Sequence, residues 1–213
     1  MGIAALAMTT QAIATIPRPN PKAPLEGVFE VVWRDVWSKA TSRLQGRSDM
    51  QHRITLFELR KFWLPPWLRR GKARNCTHKL VPRLRWPLDA PAPRRVWYVN
   101  EYDDRECEGV VGQAYCRGLE AVTNLPGLSD DSAPVNFAVY AEKAYDSEEN
   151  IKEYHYAARS IGGGTIQVHG ERWGVLVLDS VDPEGVTIGK LEDRSGGFHR
   201  AQRLTTKILE AQK

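Results

Sequence analysis

Residues 158–180 read ARSIGGGTIQVHGERWGVLVLDS. Two strand signals sit in this stretch. Ile161 to Val168 is the first, and Trp173 to Asp179 (WGVLVLD) is the second. The second is nearly all apolar, as a central strand with both faces covered must be. Gly170 and Glu171 between them predict a tight hairpin. Gly162 to Gly164 weaken the first strand unless backbone or ligand approaches closely there, or unless they mark a bulge or an edge bend.

Working outward, residues 108–125 read EGVVGQAYCRGLEAVTNL. Gly109 to Arg117 predicts a short helix stopped by Gly118, and Ala121 to Leu125 predicts a short strand. Residues 125–136 have the composition of a Gly/Pro/Asp loop. Ser147 to Ala158 predicts a helix with Ser147 as N-cap. Phe198, Ala201, Leu204, Ile208 and Leu209 mark a closing amphipathic helix. Upstream, His52 to Leu59, Thr77 to Arg85 and Arg95 to Asn100 read as strands, the first ambiguous with helix because it is short. Leu64 to Lys72 reads as a loop or hairpin tip. Leu25, Val28, Phe29, Val32, Val36, Trp37, Ala40 and Leu44 recur at three and four, predicting a helix over 25–44. Strands do not alternate one-to-one with long helices, so the class is α+β rather than doubly wound α/β.

The chain has 213 residues, 42% of them hydrophobic and 26% charged. That supports one core and excludes disordered and fibrous classes. Residues 17–24 (PRPNPKAP) form an extended spacer. The expected organisation is a leader or linker over 1–24 and one domain over 25–213. Met1 to Ile16 lacks a basic start and falls short of a spanning helix. It reads as a frayed helix or leader, or as the end of a membrane segment. Three cysteines, Cys76, Cys107 and Cys116, make no disulfide framework, which points to a cytoplasmic setting.

The net charge of +4 hides an asymmetry: residues 1–100 hold 18 Lys+Arg against 6 Asp+Glu, and residues 101–213 hold 12 against 20. Within residues 60–86, nine Lys and Arg interleave with Trp63, Trp67 and Trp86. That is the composition of a nucleic-acid or anionic-lipid surface, or of a solvated hairpin balanced by the acidic second half. Asp179 and Ser180 at the end of a strand read as a turn-forming pair. No G-x-S-x-G, P-loop, H-E-x-x-H or G-x-G-x-x-G motif stands in suitable context. Cys76 and His78 are too few for structural zinc. No catalytic or metal-binding residue is assigned.

The pair of segments 108–125 and 158–180, in this order, resembles the GAF-domain family. The first matches G-x-x-G-x-A, a short spacer with Gly, an apolar strand and an N-L loop. The second matches a Ser-bearing segment, a strand, a Gly-centred hairpin and G-V-L-x-L-x-S. The resemblance spans roughly Leu25 to Gln212. It implies a central antiparallel sheet with helices on one face, terminal helices adjacent, and a ligand cavity under loops on the other face. It also implies a sensory or regulatory role rather than catalysis, with an unidentified small-molecule ligand and a homodimer built on the terminal helices. Ligand-binding candidates near the implied cavity are Tyr140, Tyr156, Arg159, Ser160 and Thr165. Surface ion pairing is an alternative for Arg159, and core packing is one for the tyrosines. The cyclic-nucleotide residue set is absent, and Cys107 and Cys116 lack the neighbouring His of a bilin site. A branch of the family reduces free methionine sulfoxide with cysteines in this neighbourhood, but its motif Cys is Val111 here.

Overall fold

The computed structural model describes residues 52–63, 65–69, 71–86, 95–128, 135–154 and 158–212, together with Gly27, which is helical. The rest of the expected 25–44 helix, the 1–24 leader and Tyr156 lie outside the described residues. The elements are β1 (His52–Lys61), β2 (His78–Trp86), β3 (Trp97–Val99), α1 (Gly109–Arg117), β4 (Leu119–Val122) and α2 (Val135–Lys143). They are followed by α3 (Glu148–Tyr154), β5 (Ser160–Val168), β6 (Glu171–Ser180), α4 (Ile188–Glu192) and α5 (Gly197–Ala211).

The six strands form one antiparallel sheet in the order β3-β2-β1-β6-β5-β4. The apolar run GVLVLDS places β6 in the middle, where every residue from Gly174 to Ser180 is buried. The β5–β6 hairpin turns through His169 and Gly170, at φ 52° and 81°. Two positive φ values are what a type I′ turn demands. The turn therefore centres on His169-Gly170 rather than Gly170-Glu171, with Val168 paired to Glu171.

Alternation divides the sheet residues between two cores. One face carries Phe57, Ile161, Val175 and Val177 and packs with residues of α1, α2 and α3. The other carries Ile54, Leu56, Ile166, Leu176 and Leu178 and packs against Leu191 of α4 and Phe198, Ala201 and Leu209 of α5. Two positions show why Gly is needed for this layering. A Cβ on Gly162 would stand 2.8 Å from Leu191 Cδ1 and 2.9 Å from Ala121 Cβ, so the strand runs hard against α4 and β4. Gly109 opens α1 at φ 66°, with the Trp97 ring occupying the place its Cβ would take. A side chain there would push α1 off β3.

One expectation changes: residues 135–143, within and beyond the expected loop, form α2. The α+β class with one antiparallel sheet stands, and short helices as well as loops roof the face opposite α5. Phe198, Ala201 and Leu209 of the α5 stripe are buried against the sheet, while Leu204 and Ile208 are half-buried. Among the described residues, no helix is long and apolar enough to cross a membrane.

Candidate functional site

Between the sheet and the roof of α1, α2 and α3 lies a hollow. Its walls are Phe57, Trp97, Val110, Val111, Tyr140, Ala144, Ile151, Ala158, Ile161 and Val177. Each wall residue is a consequence of its element's period: Phe57 and Val177 face inward on adjacent, directly paired strands, while Val110 and Val111 sit in the buried first turn of α1. The space open to water is about 40 Å³, room for one or two water molecules.

One end of the hollow is polar. Asp179 lines it together with Thr55 and Arg85. The Asp179 carboxylate accepts from Arg53 Nε, and Arg85 stands 3.6 Å from its other oxygen. Arg85 Nε also donates to Thr55 Oγ1 at 3.2 Å. Two guanidinium groups thus surround one carboxylate at less than 20% side-chain exposure. The expected turn pair is only half there. Ser180 Oγ accepts from the Asp182 amide at 2.9 Å, as a turn former does, but Asp179 is an in-strand ion-pair partner.

The other end is closed by a second ionic group. Arg95 joins Asp146, whose Oδ1 is 2.8 Å from its Nη2, and Glu108, whose Oε1 is 2.7 Å from the same nitrogen. Asn150 Nδ2 donates to both acids, at 2.8 and 3.1 Å. The Arg95 guanidinium lies 3.8 Å above the Trp97 ring. Two acids converge on this guanidinium. The positive end of the α1 dipole also lies beside Glu108, the N-cap of α1. The group links β3, α1 and the α2–α3 turn, so it sets where the roof sits on the sheet.

Asp146 also borders a wider, more polar cleft of about 310 Å³, lined by Asn75, Cys76, Tyr98, Cys107, Glu108 and Ser147 among others. Cys107 and Cys116 are joined by a disulfide across α1, with Cα atoms 6.7 Å apart. Cys76 is buried beside them in the cleft. Three cysteines with no framework spacing thus contain one pair: the segment before α1 runs back along the helix, where Gln113 donates to the Asp104 and Cys107 carbonyls, and this sets Cys107 beside Cys116. On the same helix, Tyr115 donates its hydroxyl to Glu101 at 2.7 Å. Burial, then the Glu101 carboxylate, raises its phenol pKa far above the usual value.

The expected ligand residues separate. Tyr140 lines the hollow, its hydroxyl donating to the Ala158 carbonyl at 2.8 Å. Arg159 donates from Nε to the Leu125 carbonyl at 3.2 Å and does not line the hollow. Ser160 lies on the α4 side of the sheet, bonded to the Asp182 carbonyl and the Val186 amide at 2.6 and 3.0 Å. Thr165 donates to the carbonyls of Ala114 and Gly118, tying β5 to α1. Tyr156 is outside the described residues. Arg53, Arg95 and Asp146 carry no site signal in the sequence, whereas Arg85 reads there as part of the basic stretch 60–86 and Asp179 as half of a turn-forming pair. Alternation along β1 and β6 could have placed Arg53 and Asp179 on the inner face, but not opposite each other. Among the described residues, no cluster of three His, Cys, Asp or Glu could hold a metal ion.

No family model matches the chain. No curated protein matches it either. Solved structures do align. One is the free methionine-R-sulfoxide reductase from Neisseria meningitidis in complex with its substrate, 16% identical, covering 90% of this chain and 89% of that one at TM-score 0.42. Another is the A. aeolicus nlh2 GAF domain in an inactive state, 12% identical, covering 91% and 99% at TM-score 0.41. A third is the bacteriophytochrome RpBphP3 from R. palustris, 10% identical, covering 89% of this chain but 37% of that one at TM-score 0.34. At these scores the likenesses carry nothing about ligand or chemistry. What this chain's own topology establishes, among the described residues, is an α+β fold: one antiparallel sheet of six strands, with α4 and α5 packed on one face and a roofed hollow on the other.

Proposed function

We propose that this domain senses a small, mainly apolar molecule in the hollow between the sheet and the α1–α3 roof. One observation carries the reading: an apolar space with charged groups at both ends interrupts an otherwise packed core. Interiors are close-packed, and a retained gap flanked by Arg85 and Asp179 at one end and Asp146 at the other is what an oriented guest uses. A guest exceeding the present space would raise the roof against the Arg95 group, converting occupancy into a displacement of α2 and α3. A homodimer built on the terminal segments belongs to the same reading. Native mass spectrometry of freshly purified protein is the test. A retained small-molecule adduct, lost in Val111→Phe, is expected. Absence of an adduct, together with no thermal shift across a panel of metabolites, would remove the reading.

A second reading rests on the cleft, where Cys76 borders the Cys107–Cys116 disulfide. A thiol-dependent reductase would oxidise its dithiol to that disulfide while a sulfoxide becomes a thioether and water. Turnover of free methionine sulfoxide with a dithiol reductant, abolished by Cys107→Ser, would establish it. Equal rates in the variant would exclude it.

A further inference from the structure

Among the described residues, the connection between β1 and β2 holds three large apolar side chains out into solvent. Trp63 is 83% exposed, Trp67 76% and Leu68 59%. These are the largest exposed apolar side chains of the basic stretch, and they lie within six positions. Loose loop tips do not hold bulky rings outward, but this one is fixed at both root and apex. At the apex, Pro65 and Pro66 open a single 3₁₀ turn, closed by Leu68 N donating to the Pro65 carbonyl at 3.0 Å and Arg69 N to the Pro66 carbonyl at 3.1 Å. At the root, Phe62 stacks on Tyr98 with centroids 6.0 Å apart, and Arg69 lies 4.3 Å over the Phe62 ring. Arg69 also donates to the Cys76 carbonyl at 2.6 Å.

Cations surround the rings. Lys61 and Arg74 are exposed on either side of the turn, and Lys79 lies 5.8 Å from the Phe62 ring. Arg60 is exposed too, with Glu58 as its partner at 3.1 Å. Four exposed acids follow β3 at the same end of the sheet, each with a partner inside the fold. Glu101 accepts from Tyr115, Asp103 from the Arg105 amide, Asp104 from Arg117, and Glu106 from Asn100. Tyr102 between them is 89% exposed, adding a third ring at this end.

Indole at a pre-set tip, aliphatic Leu beside it and basic groups behind form the composition of a bilayer interface, where Trp sits at headgroup depth and Lys or Arg meets phosphate. Single-stranded nucleic acid takes a different arrangement, with rings laid along a charged groove so that successive bases stack. Here two prolines separate rings that stand out at a tip. We propose that the β1–β2 connection docks the protein on an anionic membrane surface, with Trp63, Trp67 and Leu68 entering the headgroup boundary and Lys61, Arg74 and Lys79 facing lipid phosphates. The attachment is peripheral.

The test is co-sedimentation of the full chain with vesicles of phosphatidylcholine, with and without phosphatidylserine. Binding to the mixed vesicles is expected, about tenfold or more tighter than to phosphatidylcholine alone, and weakened by raised salt. Trp63→Ala with Trp67→Ala should lower partitioning by about tenfold or more with an unchanged melting temperature, since neither ring is in the core. Lys61→Glu with Arg74→Glu should abolish the preference for phosphatidylserine. Indole emission should shift to the blue on binding and be quenched by brominated lipid. No sedimentation with phosphatidylserine vesicles overturns the proposal. So does sedimentation indifferent to the double Trp substitution, or displacement of the protein from vesicles by short single-stranded DNA with loss of DNA retention in the same variant.

Discussion

The two faces of the sheet are built from similar residues and packed in opposite ways. On the α4–α5 face, Gly162 lets Leu191, Val186 and Ala121 come within 3 Å of where a Cβ would stand, and the strand packs directly on the layer above it. On the α1–α3 face, the strands carry Phe57 and Val177, and ionic groups stand at either end of the hollow. A buried charge cannot be pressed into apolar contact without losing its partners. The Arg95–Asp146–Glu108 group ties the α1–α3 roof to the β3 edge as a strut, the Arg53–Asp179–Arg85 group spans β1, β6 and β2 within the sheet, and a hollow remains between them.

That contrast can be broken most sharply at the strut. Arg95→Met leaves Asp146 and Glu108 buried side by side without their cation, and should cost about 3–5 kcal/mol. Urea denaturation would measure it; a loss under about 1 kcal/mol would show that the group does not hold the roof. Adding a single carbon to each face tests the packing difference directly. Gly162→Ala should destabilise by about 1–3 kcal/mol, because Ala121 and the branched Val186 cannot yield. Val111→Ile, which points the same increment into the hollow, should be neutral or stabilising by up to about 0.8 kcal/mol. Equal and unfavourable effects at both sites would mean that the hollow is not room at all.

The smallest expected effect is on pH dependence and belongs to the dry side. His52 is buried and bonded through Nδ1 to Ser180 Oγ at 2.8 Å. Burial, opposed by Asp182 and Asp179, holds its pKa below the ordinary 6.5. A lowered histidine pKa means that the unfolded chain binds the proton more tightly. The contribution is complete above 6.5 and is lost as pH falls through that value towards the folded pKa. Melting temperature should decline between about pH 7 and pH 5 in the native chain, and the decline should be shallower in His52→Gln. Parallel curves would assign the loss to other groups, such as His78, whose pKa burial also holds below 6.5 against the opposing pull of Glu101.

Local chemistry makes α1 and the β5–β6 hairpin legible in the sequence. Gly109 and Gly118 punctuate the helix at the observed ends, and a run such as WGVLVLD has few alternatives to a central strand. Ser147 caps α3 as expected, accepting from the Asn150 amide at 3.4 Å. The α2 segment, VNFAVYAEK, is not legible in the same way: a nine-residue helix is marginal alone, and its formation depends on burying Tyr140 and Ala141 against the sheet. Residue type likewise placed Tyr140 at the hollow, but it also nominated Ser160 and Thr165, whose hydroxyls serve backbone carbonyls elsewhere.

By itself, the order of residues determined the strand and helix periods, the α+β class and the basic Trp-bearing tip, because each rests on contacts within a few positions. Tertiary structure alone decided that Asp179 meets Arg53 126 positions away, that Cys107 meets Cys116, and that a space stays open between charged ends. Those outcomes depend on register across the sheet and on which side chains arrive opposite one another, and no local preference encodes that.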